Sequence, residues 1–311
     1  MDEIILTYGA HLVLSNYTTV SQILSDGSNK SVVHVLPKAK LKLGNTLTVP
    51  CFVYPDGVLE PASGTTIYIE EWLYVLGNIT FSDDESVIVN GNFTMQIQNF
   101  TTFDLKVGTD AIMTVVPLES DSIFPLSTEK FSVNGTFKCN IINFTDIQEF
   151  RVGSAGIVDM VPVSTDMYMG KIIYIQGSVN LHHSVSIVHP CEQFYITGSE
   201  SRLTWTDKAN ITMECLDVFI DGYFKPGTIN FGDGAEKLRI GSYGDFEFAA
   251  SGPVLTNSFW ADGTTNITNI AEFKSLNGSD LRIEVFVVDA GGYLYLNSLS
   301  SPKLVNGLQV S

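Results

Sequence analysis

A Gly-centred apolar phrase recurs along most of this 311-residue chain. Its intervals lie near 22 residues or small multiples of that number, the signature of a chain that folds by stacking one short unit on the next. The phrase takes two forms. One reads apolar, polar, Gly, as in Val89-Asn90-Gly91, Val133-Asn134-Gly135, Ile175-Gln176-Gly177, Ile196-Thr197-Gly198, Ile220-Asp221-Gly222 and Val305-Asn306-Gly307. The other reads apolar, basic, apolar, Gly and ends at Gly44, Gly108, Gly153 and Gly241, which lie 64, 45 and 88 residues apart, three, two and four times one unit. Between Gly153 and Gly241 the glycines at 153, 177, 198, 222 and 241 step by 24, 21, 24 and 19, so consecutive units are visible there. A gapless self-match of residues 89–101 to residues 133–145, 44 residues on, spans two units.

Inside a unit the pattern is that of strands. Apolar and polar residues alternate in Thr228-Ile-Asn-Phe231, Lys237-Leu-Arg-Ile240, Asp245-Phe-Glu-Phe248 and Tyr293-Leu-Tyr-Leu296, which turns one face inward. No long stretch carries a 3.6-residue apolar stripe with caps, so helix content is expected to be low. A unit holding two or three short strands cannot bury its apolar face alone and must stack on its neighbours. The expected fold is therefore all-β: a right-handed parallel β-helix of roughly twelve coils of about 22 residues. Residues 1–311 read as a single solenoid, with 1–40 less regular and 41–311 regular. The C-terminus falls within a unit and carries no recognisable cap, so the ends read as those of a segment of something longer.

Two ladders follow from the repeat. The second residue after the Gly is apolar at Leu59, Ile79, Phe93, Phe137, Val179, Phe224 and Leu294, which predicts one inward stack. The residue before the Gly is Asn90, Asn134, Gln176, Thr197, Asp221 or Asn306, suited to side-chain hydrogen bonds at a turn. Asp221 is therefore expected to serve a turn rather than a reaction.

The net charge of −17, with 17 Lys and Arg spread along the chain, argues against nucleic acid and anionic membrane surfaces as partners. Neither a signal peptide nor a run long enough to span a membrane is present. Ten Asn-x-Ser/Thr sequons lie at Asn16, Asn29, Asn78, Asn92, Asn99, Asn134, Asn143, Asn210, Asn266 and Asn277. Composition alone would place roughly three, and the excess points to N-glycosylation and the secretory pathway. Asn99 and Asn143 occupy matching slots two units apart. Cys191 and Cys215 each fall seven residues before their unit's Gly, so they share a slot one coil apart, ~4.8 Å, within disulfide range. Cys51 and Cys139 have no matched slot and are expected to be buried thiols.

Catalytic constellations are not evident. Asp83-Asp84-Glu85 reads as a solvated polar turn, and Asp217, Asp221 and Asp233 could converge on one surface, but Asp221 has a turn role and the other two have no matched partner. His183 and His189 stand ~20 Å apart on an extended strand, too far to share a metal, and His182 adds no third ligand. No cofactor is expected, and enzyme activity is not expected.

The cadence and its glycines resemble the parallel β-helix superfamily, and the sequon density resembles its extracellular glycosylated surface and fibre (mastigoneme-type) members. That resemblance covers roughly residues 40 to 310. It implies a secreted structural or adhesive solenoid, a segment or subunit of an extracellular filament or large surface glycoprotein, partnered by head-to-tail stacking and covalent N-glycans. Two alternatives stand beside it. One is a carbohydrate-active enzyme or tailspike-like depolymerase, which needs paired carboxylates in a groove. The other is a glycan-binding ectodomain, which needs an exposed aromatic strip containing Tyr223, Trp205 or Trp260.

Overall fold

The computed structural model of the protein describes residues 3–7, 9–26, 31–96, 100–116, 124–145, 147–162, 169–182, 188–206, 210–231, 235–250, 254–268, 273–274, 285–288, 293–296 and 309–310. Among these residues there is no helix, and the strands pair in parallel. The chain is a β-solenoid of about ten turns with roughly 21 residues per turn. It divides into two compact units, one of Met1–Ile147 with Gly156–Val163 and the other of Gln148–Ala155 with Ser164–Ser311.

The repeat survives because the same inward position is refilled coil after coil. In the first unit Ile23, Leu47, Ile69, Val89, Val107 and Val133 form one ladder through direct pairing of their strands, and all six are buried. The steps are 24, 22, 20, 18 and 26 residues. In the second unit Val152, Ile175, Ile196, Ile220 and Ile240 do the same with steps of 23, 21, 24 and 20. β-branched side chains dominate both ladders because a pleated, buried surface suits their restricted rotamers. The unequal steps show that connections between strands lengthen and shorten while the strands keep their register.

The inward stack expected after the glycines is more than one ladder. Phe93 pairs with Leu73 and Met113, and Met113 with Phe137, on the strands Trp72–Val75, Asn92–Met95, Ile112–Val115 and Thr136–Thr145. Leu59 and Ile79 belong to another ladder, with Leu41. Gly57 and Gly77 follow the strands Cys51–Val53 and Trp72–Val75, whereas Gly91 follows Ser86–Val89, so the same short phrase marks two different corners of the coil. In the second unit Val179, Leu203, Phe224 and Phe246 stack as expected. Leu294 lies in the strand Tyr293–Leu296, and its side chain is outside the described residues.

Close approach of backbones explains why the corner residue is Gly. A Cβ on Gly91 would lie 1.8 Å from the carbonyl oxygen of Glu71, and one on Gly135 would lie 2.1 Å from that of Gly108. Either contact would force adjacent coils apart. Large aromatic side chains fill the interior, with Phe131 edge-on to Phe137 at 4.9 Å in the first unit and Phe246 stacked on Phe248 at 4.6 Å in the second. Phe137→Ala removes a fully buried ring and is expected to cost about 3–5 kcal/mol. Ile79→Ala, at a half-buried position, should cost clearly less, and urea denaturation of the two variants checks the order.

Candidate functional site

In a parallel coil the outward positions stack as strictly as the inward ones, because register fixes both faces at once. In the second unit this aligns Arg151, Tyr174, Tyr195, Phe219 and Arg239 on successive strands, each in register with the next. The Arg151 guanidinium lies over Tyr174 at 5.4 Å, and Tyr174 meets Tyr195 edge-on at 5.9 Å. Tyr195 meets Phe219 at 6.2 Å, and Arg239 covers Phe219 at 5.2 Å. Ring-on-ring and cation-on-ring contacts of this kind contribute roughly 0.5–1 kcal/mol each at partly exposed sites.

Carboxylates tie both ends of this ladder. Arg151 pairs with Glu149 on its own strand. Asp217, in the neighbouring outward column, accepts hydrogen bonds from Arg239 Nη2 at 3.0 and 3.1 Å and from the Tyr195 hydroxyl at 2.9 Å. Partial burial, and then the bond it donates to Asp217, raise the Tyr195 phenol above its ordinary pKa, so it remains a donor. Asp217 is thus held between a guanidinium and a phenol rather than opposite a second carboxylate. Asp221 lies within the strand Asn210–Phe224 rather than at a turn of its own, and its carboxylate accepts from the backbone N–H of Tyr243, at the turn one coil on, at 2.9 Å. Asp233 lies outside the described residues.

The three aromatic residues singled out in the sequence fare differently. Tyr223 is 42% exposed, with the Lys225 ammonium 5.2 Å from its ring centroid. Trp205 is half-buried against Phe224 at 5.7 Å, and its indole N–H is buried without an acceptor among the described residues. The Trp260 backbone pairs with Arg239, but its side chain is outside the described residues.

The first unit carries an aromatic patch that reading the inward residues alone misses. Val13, His34, Phe52 and Tyr74 form an outward column. His34 stacks on Phe52 at 5.8 Å, Phe52 meets Trp72 edge-on at 5.1 Å, and Tyr54 lies 6.0 Å from His34. His11 stacks on His34, with ring nitrogens 3.3 Å apart. Beside this patch opens a cleft of about 370 Å³ lined by Val32, Pro50, Trp72 and Asn92 along the coils, with Glu70 and Glu71 at its side. The steps of 21, 18 and 22 in the outward column match the repeat, so the signal was present in the sequence.

Of the other expected positions, Cys191 and Cys215 form a disulfide with Cα atoms 4.4 Å apart, directly paired in register. Cys51 and Cys139 are buried thiols, and burial pushes each pKa up to about 12. Asp83 and Asp84 are exposed, but Glu85 is buried, which corrects the reading of that turn as wholly solvated. Its carboxylate accepts from the Ser82 N–H and hydroxyl at 2.6 and 2.7 Å, closing the turn on itself. Hydrogen bonds from Ser82, and then Ser63, hold Asp84 below the usual carboxylate range. His182 is exposed and its Nδ1 is 3.3 Å from the Thr206 hydroxyl. His183 lies outside the described residues. His189 sits in the strand Val188–Trp205, opposite Met213.

Among the sequons, Asn16, Asn78, Asn92 and Asn134 are exposed. Asn143, Asn210 and Asn266 lie in strands, and Asn143 is paired with Pro125. Asn29, Asn99 and Asn277 lie outside the described residues. Among the described residues no group of three or more His, Cys, Asp or Glu is placed to hold a metal, and no helix is long and apolar enough to cross a membrane. No protein-family model, curated protein or solved structure matches the chain.

Replacing Cys191 and Cys215 together by Ser is expected to lower stability by about 3 kcal/mol, the closure entropy of a loop of this size. A thiol-reactive dye should label none of the native chain and two cysteines after unfolding without reductant. Because the raised thiol pKa values disfavour ionisation in the folded state alone, stability should hold below the ordinary thiol pKa of 9.0 and fall as pH rises above it. Asp217→Asn should bring the Tyr195 pKa down towards its ordinary value, leaving burial, which raises it, opposed by the Arg239 guanidinium, which lowers it, as read by carbon-13 tyrosine NMR across alkaline pH.

Proposed function

We propose that this chain is a secreted, N-glycosylated β-solenoid with a structural or adhesive role, a segment or subunit of an extracellular filament or large surface glycoprotein. The observation that carries the reading is the outward ladder Arg151, Tyr174, Tyr195, Phe219 and Arg239. Solvent-facing strand positions that serve only solubility are filled by polar residues, whereas here three coils in succession place an aromatic ring there, flanked on each side by a guanidinium over the outer ring. A rigid, repeated strip of this kind is suited to extended ligands rather than to small molecules held in a pocket.

Support for the secretory setting comes from the disulfide, which belongs to oxidising compartments, and from the exposed sequons. Self-association by coil-on-coil pairing fits a fold in which each strand edge is a template for the next.

A glycan-binding role is the second reading, favoured by the exposed Tyr223 and Trp72. The carboxylates tied to both ladder arginines leave that strip close to electrically neutral on a chain of net charge −17. Neutral polysaccharides are therefore a better match than strongly charged ligands.

The test is retention of the secreted chain on immobilised neutral polysaccharides and on a layer of itself. Combined Tyr174→Ser, Tyr195→Ser and Phe219→Ser should weaken retention by about tenfold or more, ~1.4 kcal/mol. Stability should fall by about 2–4 kcal/mol, since four ring and cation contacts of roughly 0.5–1 kcal/mol each are lost. Unchanged retention on both surfaces would remove the ladder as the adhesive element.

A further inference from the structure

The cleft beside Trp72 has no role in the ladder just described, and its geometry singles out one occupant. We propose that it is the seat of the protein's own N-glycan on Asn92, with the first N-acetylglucosamine lying against the Trp72 indole. This inference rests on the glycoprotein reading above and adds to it a specific site and a function for the sugar.

Asn92 and Trp72 are partners in register on the adjacent strands Asn92–Met95 and Trp72–Val75, so their Cβ atoms stand one strand spacing apart, ~4.8 Å. Both side chains are exposed, Trp72 at 43%, and both line the cleft. The backbone at this point has little freedom: the Asn92 N–H donates to the Glu71 carbonyl at 2.7 Å, and Gly91 packs directly on that same carbonyl. The amide is therefore held at the mouth of the cleft.

Period two completes the sequon. Asn92 and Thr94 face outward, Thr94 in register with Tyr74, while Phe93 between them is fully buried. The face of a pyranose ring that carries several C–H bonds presents weak positive charge, which matches the negative face of an indole. Glu70 and Glu71 at the side of the cleft supply carboxylate acceptors for the sugar hydroxyls, the mixture of apolar wall and a few polar groups that ligand sites use. Glu70 is itself positioned by Asn90, whose Nδ2 donates to its Oε1 at 3.0 Å.

Attachment requires a lipid diphosphate-linked oligosaccharide as donor. Asn92 Nδ2 forms a bond to the anomeric carbon of the first sugar, the bond from that carbon to the donor's diphosphate breaks, one amide proton is lost, and the lipid diphosphate leaves.

The experiment uses the full chain secreted from a eukaryotic host, as wild type, Thr94→Ala, which abolishes the sequon but keeps Asn92, and Thr94→Ser, which preserves it. Glycopeptide mass spectrometry reads occupancy at each sequon, and hydroxyl-radical footprinting reads oxidation of Trp72 against the exposed references Tyr223 and Tyr243. Expected are an occupied Asn92 in wild type and Thr94→Ser, and a severalfold rise in Trp72 oxidation in Thr94→Ala with both references unchanged. Occupied Asn16, Asn78 or Asn134 with an empty Asn92 overturns this inference and leaves the glycoprotein reading standing. An occupied Asn92 with the same Trp72 oxidation in all three proteins overturns the stacking. Protection of Trp72 by an added soluble polysaccharide, but not by the attached glycan, assigns the cleft to an external ligand and also overturns it. Absence of sugar from every sequon removes the glycoprotein reading, and this inference with it.

Discussion

The structure depends on one constraint: a coil of about 21 residues has too little interior to fold alone, so its apolar face must be continued by the next coil in the same register. Parallel pairing supplies that register through the backbone, and identical or similar side chains then repeat at each level. The buried run Ile175, Ile196, Ile220 and Ile240 is the direct result. Corner glycines belong to the same constraint, since a Cβ at Gly91 or Gly135 would drive into the backbone of the adjacent coil.

Because register acts on both faces, it also decides what the surface can do. Tyr174, Tyr195 and Phe219 each precede one of the buried isoleucines by a single residue, and their contacts with one another follow from the pairing. The ladder is rigid because its spacing is that of the sheet. Electrostatics are local by comparison: Arg239 is held by Asp217 on the preceding coil, and Arg151 by Glu149 two residues before it. A chain with 34 acidic and 17 basic residues thus keeps this strip near neutrality by placing cations against rings and carboxylates against cations.

The same logic explains what was legible in the sequence. Cys191 and Cys215 could be paired because a shared distance to the corner Gly becomes a shared height in the stack, and the two strands do align them directly. Asp221 could be given a hydrogen-bonding role because it precedes such a Gly, but it sits in a strand and its carboxylate serves the turn of the next coil. Leu59 and Ile79 were misassigned to the ladder of Phe93 because the apolar, polar, Gly phrase marks more than one corner, and only the strand that precedes it tells them apart. The burial of Glu85 was not legible, since it depends on Ser82 folding back onto its carboxylate. The outward aromatic residues carried the repeat all along, but alternation by itself distinguishes two faces of a strand without saying what the outer one meets.

That ambiguity bears on the sequons as well. An Asn-x-Thr triplet with an apolar central residue is what an outward, inward, outward strand produces, as Phe93 and Ile211 illustrate, both buried. Strand patterning therefore accounts for polar residues at the first and third positions. It does not account for an amide at Asn92, because the same outward column is filled by Trp72, Ile112, Thr136 and Ile157 on neighbouring coils. Ile112 and Ile157 are each 44% exposed, so packing in this column accepts apolar and polar side chains alike. Under the proposed glycosylation, a covalent sugar on this asparagine, set between an exposed indole and an exposed isoleucine, would shield apolar surface that the coil cannot bury, using the one residue type to which the sugar can be attached.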